Sequence, residues 1–391
     1  MVCETVTSGR SATVVFAGGG SGGHLYPALA IAEAIRSRLG RVRFVFFGTQ
    51  RSVDRKIVEG ASCELVAQAL PRLAVAPWSW PIAVRDYRRA QRSCRSSLAR
   101  LEPLAMIGSG GIASLAAMRE ARRAGVPTVM LNPDAVPGRA NRHLAGVTDL
   151  ICVQWEETVA HFPDRARVEV TGCPVRPEFR GPDRGAGLAE FGLDPDRKTL
   201  LITGASQGAR SVNRAVAANL EFLASRQDWQ VLHLTGDLDF EEVRSAYEAR
   251  PVAGRVIAYT ERMAGALAAA DLVVSRAGAS TLAEIVAVGR ASILMPYPHH
   301  RDQHQLANAR CLSRLGAAEV MVDAVSAARN GPALRVAMAS LMDDDDARDQ
   351  MAAAAKAMGR LGAAGCIADR VLELASARGM NCATESMEPA I

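Results

Sequence analysis

The chain has 391 residues, of which 49% are hydrophobic and 22% charged, and a formal net charge of +5. That length exceeds what one hydrophobic core organises and points to two domains, while the modest charge, with no Lys/Arg-rich block, excludes the electrostatic footprint of a nucleic-acid binder. No run reaches the roughly 18 to 20 apolar residues that span a bilayer, and residues 1–12, read as a flexible N-terminus, lack the apolar core of a secretory signal, so a cytoplasmic chain is expected.

An apolar strand over 13–17 leads into a glycine cluster at 18–23 and then a helical pattern over 27–39 and a second strand over 42–47. This is the βαβ order of a parallel sheet. From residue 85 a helix carries Arg85, Arg88, Arg89, Arg92 and Arg95 on one face and Tyr87, Ala90, Cys94, Leu98 and Leu101 on another, preceded by the aromatics Trp78 and Trp80. Such a helix suits an anionic membrane surface. Further strands are expected over 105–107, 128–131 and 150–153, which closes a first domain at 13–173.

Residues 174–198, rich in proline, glycine and charge, read as an interdomain connector. A second domain over 199–376 then repeats the strand, glycine turn, helix order, with a strand over 199–203 and the turn at 204–209. Its later strands are expected over 230–234, 255–259, 272–275 and 293–296, followed by one long alanine-rich helix over 347–376 and a disordered tail at 377–391. The eight cysteines are scattered, with no CxxC pair, and read as reduced structural thiols.

Gly18, Gly20 and Gly23 satisfy GxGxxG, the dinucleotide fingerprint. The second strand nevertheless ends Phe47-Gly48-Thr49, without the acidic residue that would hold a ribose. Three glycine turns, at 18–23, 108–111 and 204–208, instead offer backbone amides to phosphate oxygens. The i, i+4 pair His300 and His304, with His299, lacks the third ligand of a zinc site, so no metal is expected. Thr281-Leu282-Ala283-Glu284 fits a capping box.

The segments Phe16-Ala17-Gly18-Gly19-Gly20-Ser21-Gly22-Gly23-His24, Gly172-Cys173-Pro174-Val175-Arg176, Thr203-Gly204-Ala205-Ser206-Gln207-Gly208-Ala209-Arg210 and Ser275-Arg276-Ala277-Gly278-Ala279-Ser280-Thr281-Leu282-Ala283-Glu284 occur in the order of the MurG family, which the chain resembles from residue 13 to about 310. The resemblance implies an α/β chain of GT-B type, with two Rossmann-like parallel-sheet domains facing across a cleft. It also implies inverting transfer of N-acetylglucosamine to lipid I, giving lipid II. The residues themselves leave open a same-fold UDP-sugar transferase acting on another lipid or glycoside, and a catalytically silent UDP-sugar-binding homologue.

By resemblance the donor is bound by Ser21, Gly22, Gly23, Arg176, Ser206, Gln207, Gly208, Thr260, Met263, Arg276, Gly278, Ser280, Thr281, Glu284, His304 and Gln305, and the acceptor by Gly19, Gly20, Gly110, Gly111, Asn132 and Asn141. The family's His-Glu-Gln-Asn is replaced by Leu131-Asn132-Pro133-Asp134, which puts Asn132 at the glutamate and leaves Asp134 as the nearest carboxylate. His24 and Asp134 are the expected catalytic residues. The membrane contact is expected at Trp78, Trp80, Arg85, Arg88, Arg89 and Arg92. The implied partners are UDP-N-acetylglucosamine, the undecaprenyl-diphosphate-linked muramoyl-pentapeptide, an anionic membrane surface and a cell-wall synthesis complex. The expected location is peripheral, at the cytoplasmic face of the cell membrane. No cofactor is required, and the sequence does not indicate a divalent cation such as Mg2+.

Overall fold

The computed structural model of the chain describes residues 12–68, 80–204, 208–299 and 302–380. The first sheet contains β1 (Ala12–Ala17), β2 (Val42–Gly48), β3 (Glu64–Ala67), β4 (Ala105–Gly108), β5 (Thr128–Asn132), β6 (Leu150–Val153) and β7 (Val168–Val170), in the order β3-β2-β1-β4-β5-β6-β7. The second contains β8 (Lys198–Thr203), β9 (Trp229–Leu234), β10 (Gly254–Ile257), β11 (Leu272–Ser275), β12 (Ala291–Leu294) and β13 (Glu319–Val320), in the order β10-β9-β8-β11-β12-β13. Every pairing in both sheets is parallel.

Apolar runs without polar alternation build these strands because both faces of a parallel sheet are covered. Within β1, Val14 and Phe16 enter one core and Val15 and Ala17 the other, as the two-residue period requires. The strand order reverses between β1 and β4, and again between β8 and β11. Loops at such switch points diverge and leave a crevice at the carboxyl ends of the strands. All the glycine turns singled out in the sequence follow β1, β4 or β8.

The alanine-rich pattern over 347–376 forms two helices, Asp345–Met358 and Ala363–Ala377. The chain breaks at Gly359, where an added Cβ would lie 2.8 Å from the Val286 carbonyl. The second helix crosses back to the first domain and buries Ile367, Ala368, Val371 and Ala375 against Phe16, Ile31 and Ile35. Periodicity gave one helix where the structure has two, and carried no sign of the sheet that the second covers. Strands β3, β7 and β13 have no counterpart in the sequence reading, since runs of two to four residues carry too little alternation to register. Of the expected N-terminal segment 1–12 and tail 377–391, residues 1–11 and 381–391 lie outside the described residues, as do Trp78, Ser206, Gln207 and His300, while the last helix runs on to Ala377.

Candidate active site

The helix Gly22–Leu39 of the first domain and the helix Ala279–Val288 of the second point their N-termini into the cleft. They meet there: the Ser280 hydroxyl donates to the Gly23 carbonyl across the gap at 3.0 Å. Two partial positive ends converging on one space favour an anion between them.

Around that point lies a cavity of about 560 Å³. The first domain contributes Ser21, Gly22, Gly23 and Tyr26, the connector Arg176, and the second domain Thr260, Met263, Gly278, Ser280, Thr281, Glu284 and Gln305. A neighbouring cavity of about 620 Å³ shares Gly278 and Gln305 and adds Gly208, Arg210, Arg276 and Tyr297. Most of the expected donor residues are thus brought together, from segments more than two hundred residues apart.

Glu284 is not part of a capping box. The N-cap is Gly278, so Thr281 already lies within the helix and Glu284 falls in its second turn, on the wall of the cavity. Burial pushes its carboxyl up to about 7, against the opposing pull of Arg176 and with a further push from Glu178. Arg176 is held for this position: its guanidinium lies 4.5 Å from the Tyr26 ring centroid and pairs with Glu178 at 2.9 Å.

His24 follows the first glycine turn. Its Nδ1 lies 2.7 Å from the Ser109 carbonyl oxygen. A carbonyl only accepts, so Nδ1 carries the proton and, in the neutral ring, Nε2 presents a lone pair. The ring packs against the second glycine turn, where a Cβ on Gly110 would lie 3.3 Å from Cε1 and one on Gly111 4.0 Å from Nε2. The first two glycine turns and His24 therefore form one unit, and Asn132 shares the small pocket beside His24.

Three expected residues behave differently. Arg276 turns inward: Nη1 meets Asp323 at 2.7 Å and the Met295 carbonyl at 2.8 Å, while Nη2 meets Ser211 at 2.7 Å. With its charge neutralised by a buried aspartate, it braces the wall of the cavity that Tyr297 also lines. His304 lines neither cavity; its Nδ1 lies 2.7 Å from Asp302, and the adjacent Gln305 faces the cleft instead. Asp134 also lines neither cavity, and its carboxylate accepts from Asn308 of the second domain at 2.9 Å.

Asp54 escaped the sequence reading. Fully buried, it accepts from the amides of Gly20 and Thr49, both at 2.7 Å. A Cβ on Gly19 would lie 2.2 Å from its carboxylate, and one on Gly18 2.1 Å from the Ser109 hydroxyl. Those glycines serve to close the turn on protein groups, and the Gly20 amide is spent on Asp54. Nothing local marks an aspartate in a helical pattern as the cap of a distant loop. Among the described residues, no group of three or more His, Cys, Asp or Glu is placed to hold a metal ion.

The chain matches the glycosyltransferase family 28 N-terminal domain over residues 14–152 and the family's C-terminal domain over residues 199–365. A protein of Moorella thermoacetica is 37% identical over 369 residues, covering 92% of this chain and 98% of its own. One of Bacillus subtilis strain 168 is 34% identical over 316 residues, covering 79% and 85%. Both are named UDP-N-acetylglucosamine--N-acetylmuramyl-(pentapeptide) pyrophosphoryl-undecaprenol N-acetylglucosamine transferase. The chain belongs to this family. In solved structures the fold is found in MurG of Acinetobacter baumannii, with a TM-score of 0.73 at 22% identity, covering 93% of this chain and all of that one. Membership makes the protein an N-acetylglucosamine transferase, with a GT-B arrangement of two parallel-sheet domains.

Proposed function

We propose that the protein transfers N-acetylglucosamine from UDP-N-acetylglucosamine to the muramoyl hydroxyl of undecaprenyl-diphospho-muramoyl-pentapeptide, with inversion. The observation that carries the mechanism is the fixed tautomer of His24, whose Nε2 lone pair stands beside the acceptor-side turns. Nε2 takes the proton as the hydroxyl oxygen attacks the anomeric carbon, and the bond from that carbon to the UDP oxygen breaks. The charge arriving on UDP falls between two helix N-termini and near Arg176. Glu284 accepts from the ribose hydroxyls when ionised, and Gln305, whose Oε1 takes the Tyr297 amide at 2.9 Å, is oriented toward the sugar.

The acceptor is lipid-linked, so the protein must work at a membrane surface. Among the described residues no helix is long and apolar enough to cross one. The helix Trp80–Leu101 supports peripheral attachment: Ala90, Cys94 and Leu98 are buried, whereas Trp80, Ile82 and Val84 are exposed at its start. Arg85 pairs with Asp86 and Arg95 with Glu120, but Arg88, Arg89 and Arg92 pair with no carboxylate among the described residues. Their charges are free for anionic headgroups at the cytoplasmic face.

Radiolabelled UDP-N-acetylglucosamine incubated with lipid I in vesicles tests the activity. Label in a disaccharide-bearing lipid is the expected result. Label transferred only to diacylglycerol, or to no lipid, would overturn the acceptor assignment.

A further inference from the structure

We propose, resting on the functional reading above, that Asn308 and Asp134 couple the donor half of the cleft to the acceptor half. They form the interdomain link of a relay in which Asp134 is held by Asn308 through its carboxylate and by Asn132 through its backbone carbonyl, and which ends on the side-chain oxygen of Asn141. The relay's open end would take a hydroxyl or amide N–H of the acceptor sugar.

Each amide in the relay is oriented by a neighbour that has one role only. Asn308 is fully buried, and its Oδ1 accepts the Ala135 backbone amide at 2.7 Å, so its Nδ2 faces Asp134 Oδ1 at 2.9 Å and the Ala277 carbonyl at 3.2 Å. Asn132 donates to the Asp134 backbone carbonyl at 2.7 Å, which turns its Oδ1 toward Asn141. Asn141 then donates to that oxygen at 2.9 Å and to the Leu131 carbonyl at 3.2 Å. Both its donors are used, and its Oδ1 has no partner although the residue is only 7% exposed.

An unsatisfied buried acceptor is costly, and this one lies where it has a use. A Cβ on Gly110 would be 3.6 Å from it and 3.3 Å from His24 Cε1, so the open oxygen and the candidate base flank the same turn. At the opposite end, Asn308 belongs to the helix His304–Ser313, whose Gln305 lines both cavities, and Ala277 immediately precedes the cavity residue Gly278. A proton donor arriving at Asn141 Oδ1 polarises the amide and strengthens the bonds from Asn141 to Asn132 and from Asn132 to the Asp134 backbone carbonyl; from there the coupling passes through the position of Asp134, whose carboxylate Asn308 holds. A side-chain shift at Gln305 or Gly278 reaches Asp134 through Asn308. Where the resemblance leads one to expect a glutamate, this chain has Asn132, whose amide can donate and accept at once; a carboxylate there would break the relay.

The test is the affinity for UDP, by calorimetry, with and without a short-chain lipid I analogue. In the wild type the analogue should tighten UDP binding about fivefold or more. Asp134→Ala should bring that factor close to one in a protein that still folds and binds UDP. Asp134→Asn, which keeps an oxygen for Asn308, should retain the coupling. Asn308→Asp, of the same shape but without the N–H donor, should lose it, and it decides the matter if Asp134→Ala does not fold. Coupling that survives in folded Asp134→Ala or Asn308→Asp, or a wild type that transfers sugar with no coupling at all, overturns the relay alone. A wild type that binds UDP yet transfers nothing to the analogue removes the functional reading beneath it as well.

Discussion

Lys56 of the first domain and Glu261 of the second form a 2.9 Å ion pair across the mouth of the cleft that Arg176 and Glu284 line. Lys56 also lies 5.6 Å from the Tyr259 ring centroid, another residue of that wall. The pair is exposed on both sides, so its effect on stability is small, but it joins the domains at the mouth of the cavity proposed to take the nucleotide. Lys56→Glu replaces attraction by repulsion. Stopped-flow release of UDP should be faster in this variant, and the difference should shrink in high salt, since exposed charges are screened over about 8 Å at physiological ionic strength. A salt-independent difference would rule out the electrostatic clasp.

His24→Ala removes the lone pair held beside Gly110. Turnover should fall about a hundredfold to ten-thousandfold, with UDP affinity little changed, since the proposed mechanism has His24 act on the acceptor hydroxyl and not on UDP. Near wild-type turnover would reduce the histidine to a tie between two turns.

Glu284 should give UDP binding a pH dependence. In the role proposed for it, the ionised carboxylate accepts from the ribose hydroxyls, and burial has raised its pKa to about 7, so UDP affinity should rise with pH through that value. Glu284→Gln should flatten the profile. Arg176 pulls the pKa downward, and Arg176→Ala should therefore move the midpoint up. Stability runs the other way. The folded state holds this proton above the ordinary carboxyl pKa, so the free protein loses stability as pH rises from about 4.5 toward 7. A UDP affinity constant across that window would remove Glu284 from the ribose.

Arg88, Arg89 and Arg92 should each add roughly 1 kcal/mol of attraction near an anionic surface. Wild type should float with anionic vesicles, and less so in high salt, whereas a variant with Trp80, Arg88 and Arg92 replaced by Ser or Gln should remain in solution. Equal flotation of the folded variant would place the membrane contact elsewhere.

The sequence by itself determined what depends on neighbours in the chain. Two βαβ repeats follow from apolar runs, glycine turns and helical spacing, and the run from Ser275 to Glu284 was the longest stretch of the family resemblance and supplies much of one cavity wall. His24 stood out because it ends a glycine turn. Tertiary structure decided where polar side chains spend their hydrogen bonds. Asp54 fills the first glycine turn from 34 residues beyond Gly20, Arg276 pairs inward with Asp323 across 47 residues, and Asp134 meets Asn308 across 174. Periodicity says which face of an element is buried, yet it carries no record of which partner that face meets. The helix Ala363–Ala377, alanine-rich like the one before it, covers the other domain's sheet because the chain breaks at Gly359 beside the Val286 carbonyl. That is a contact made only once the two domains have come together.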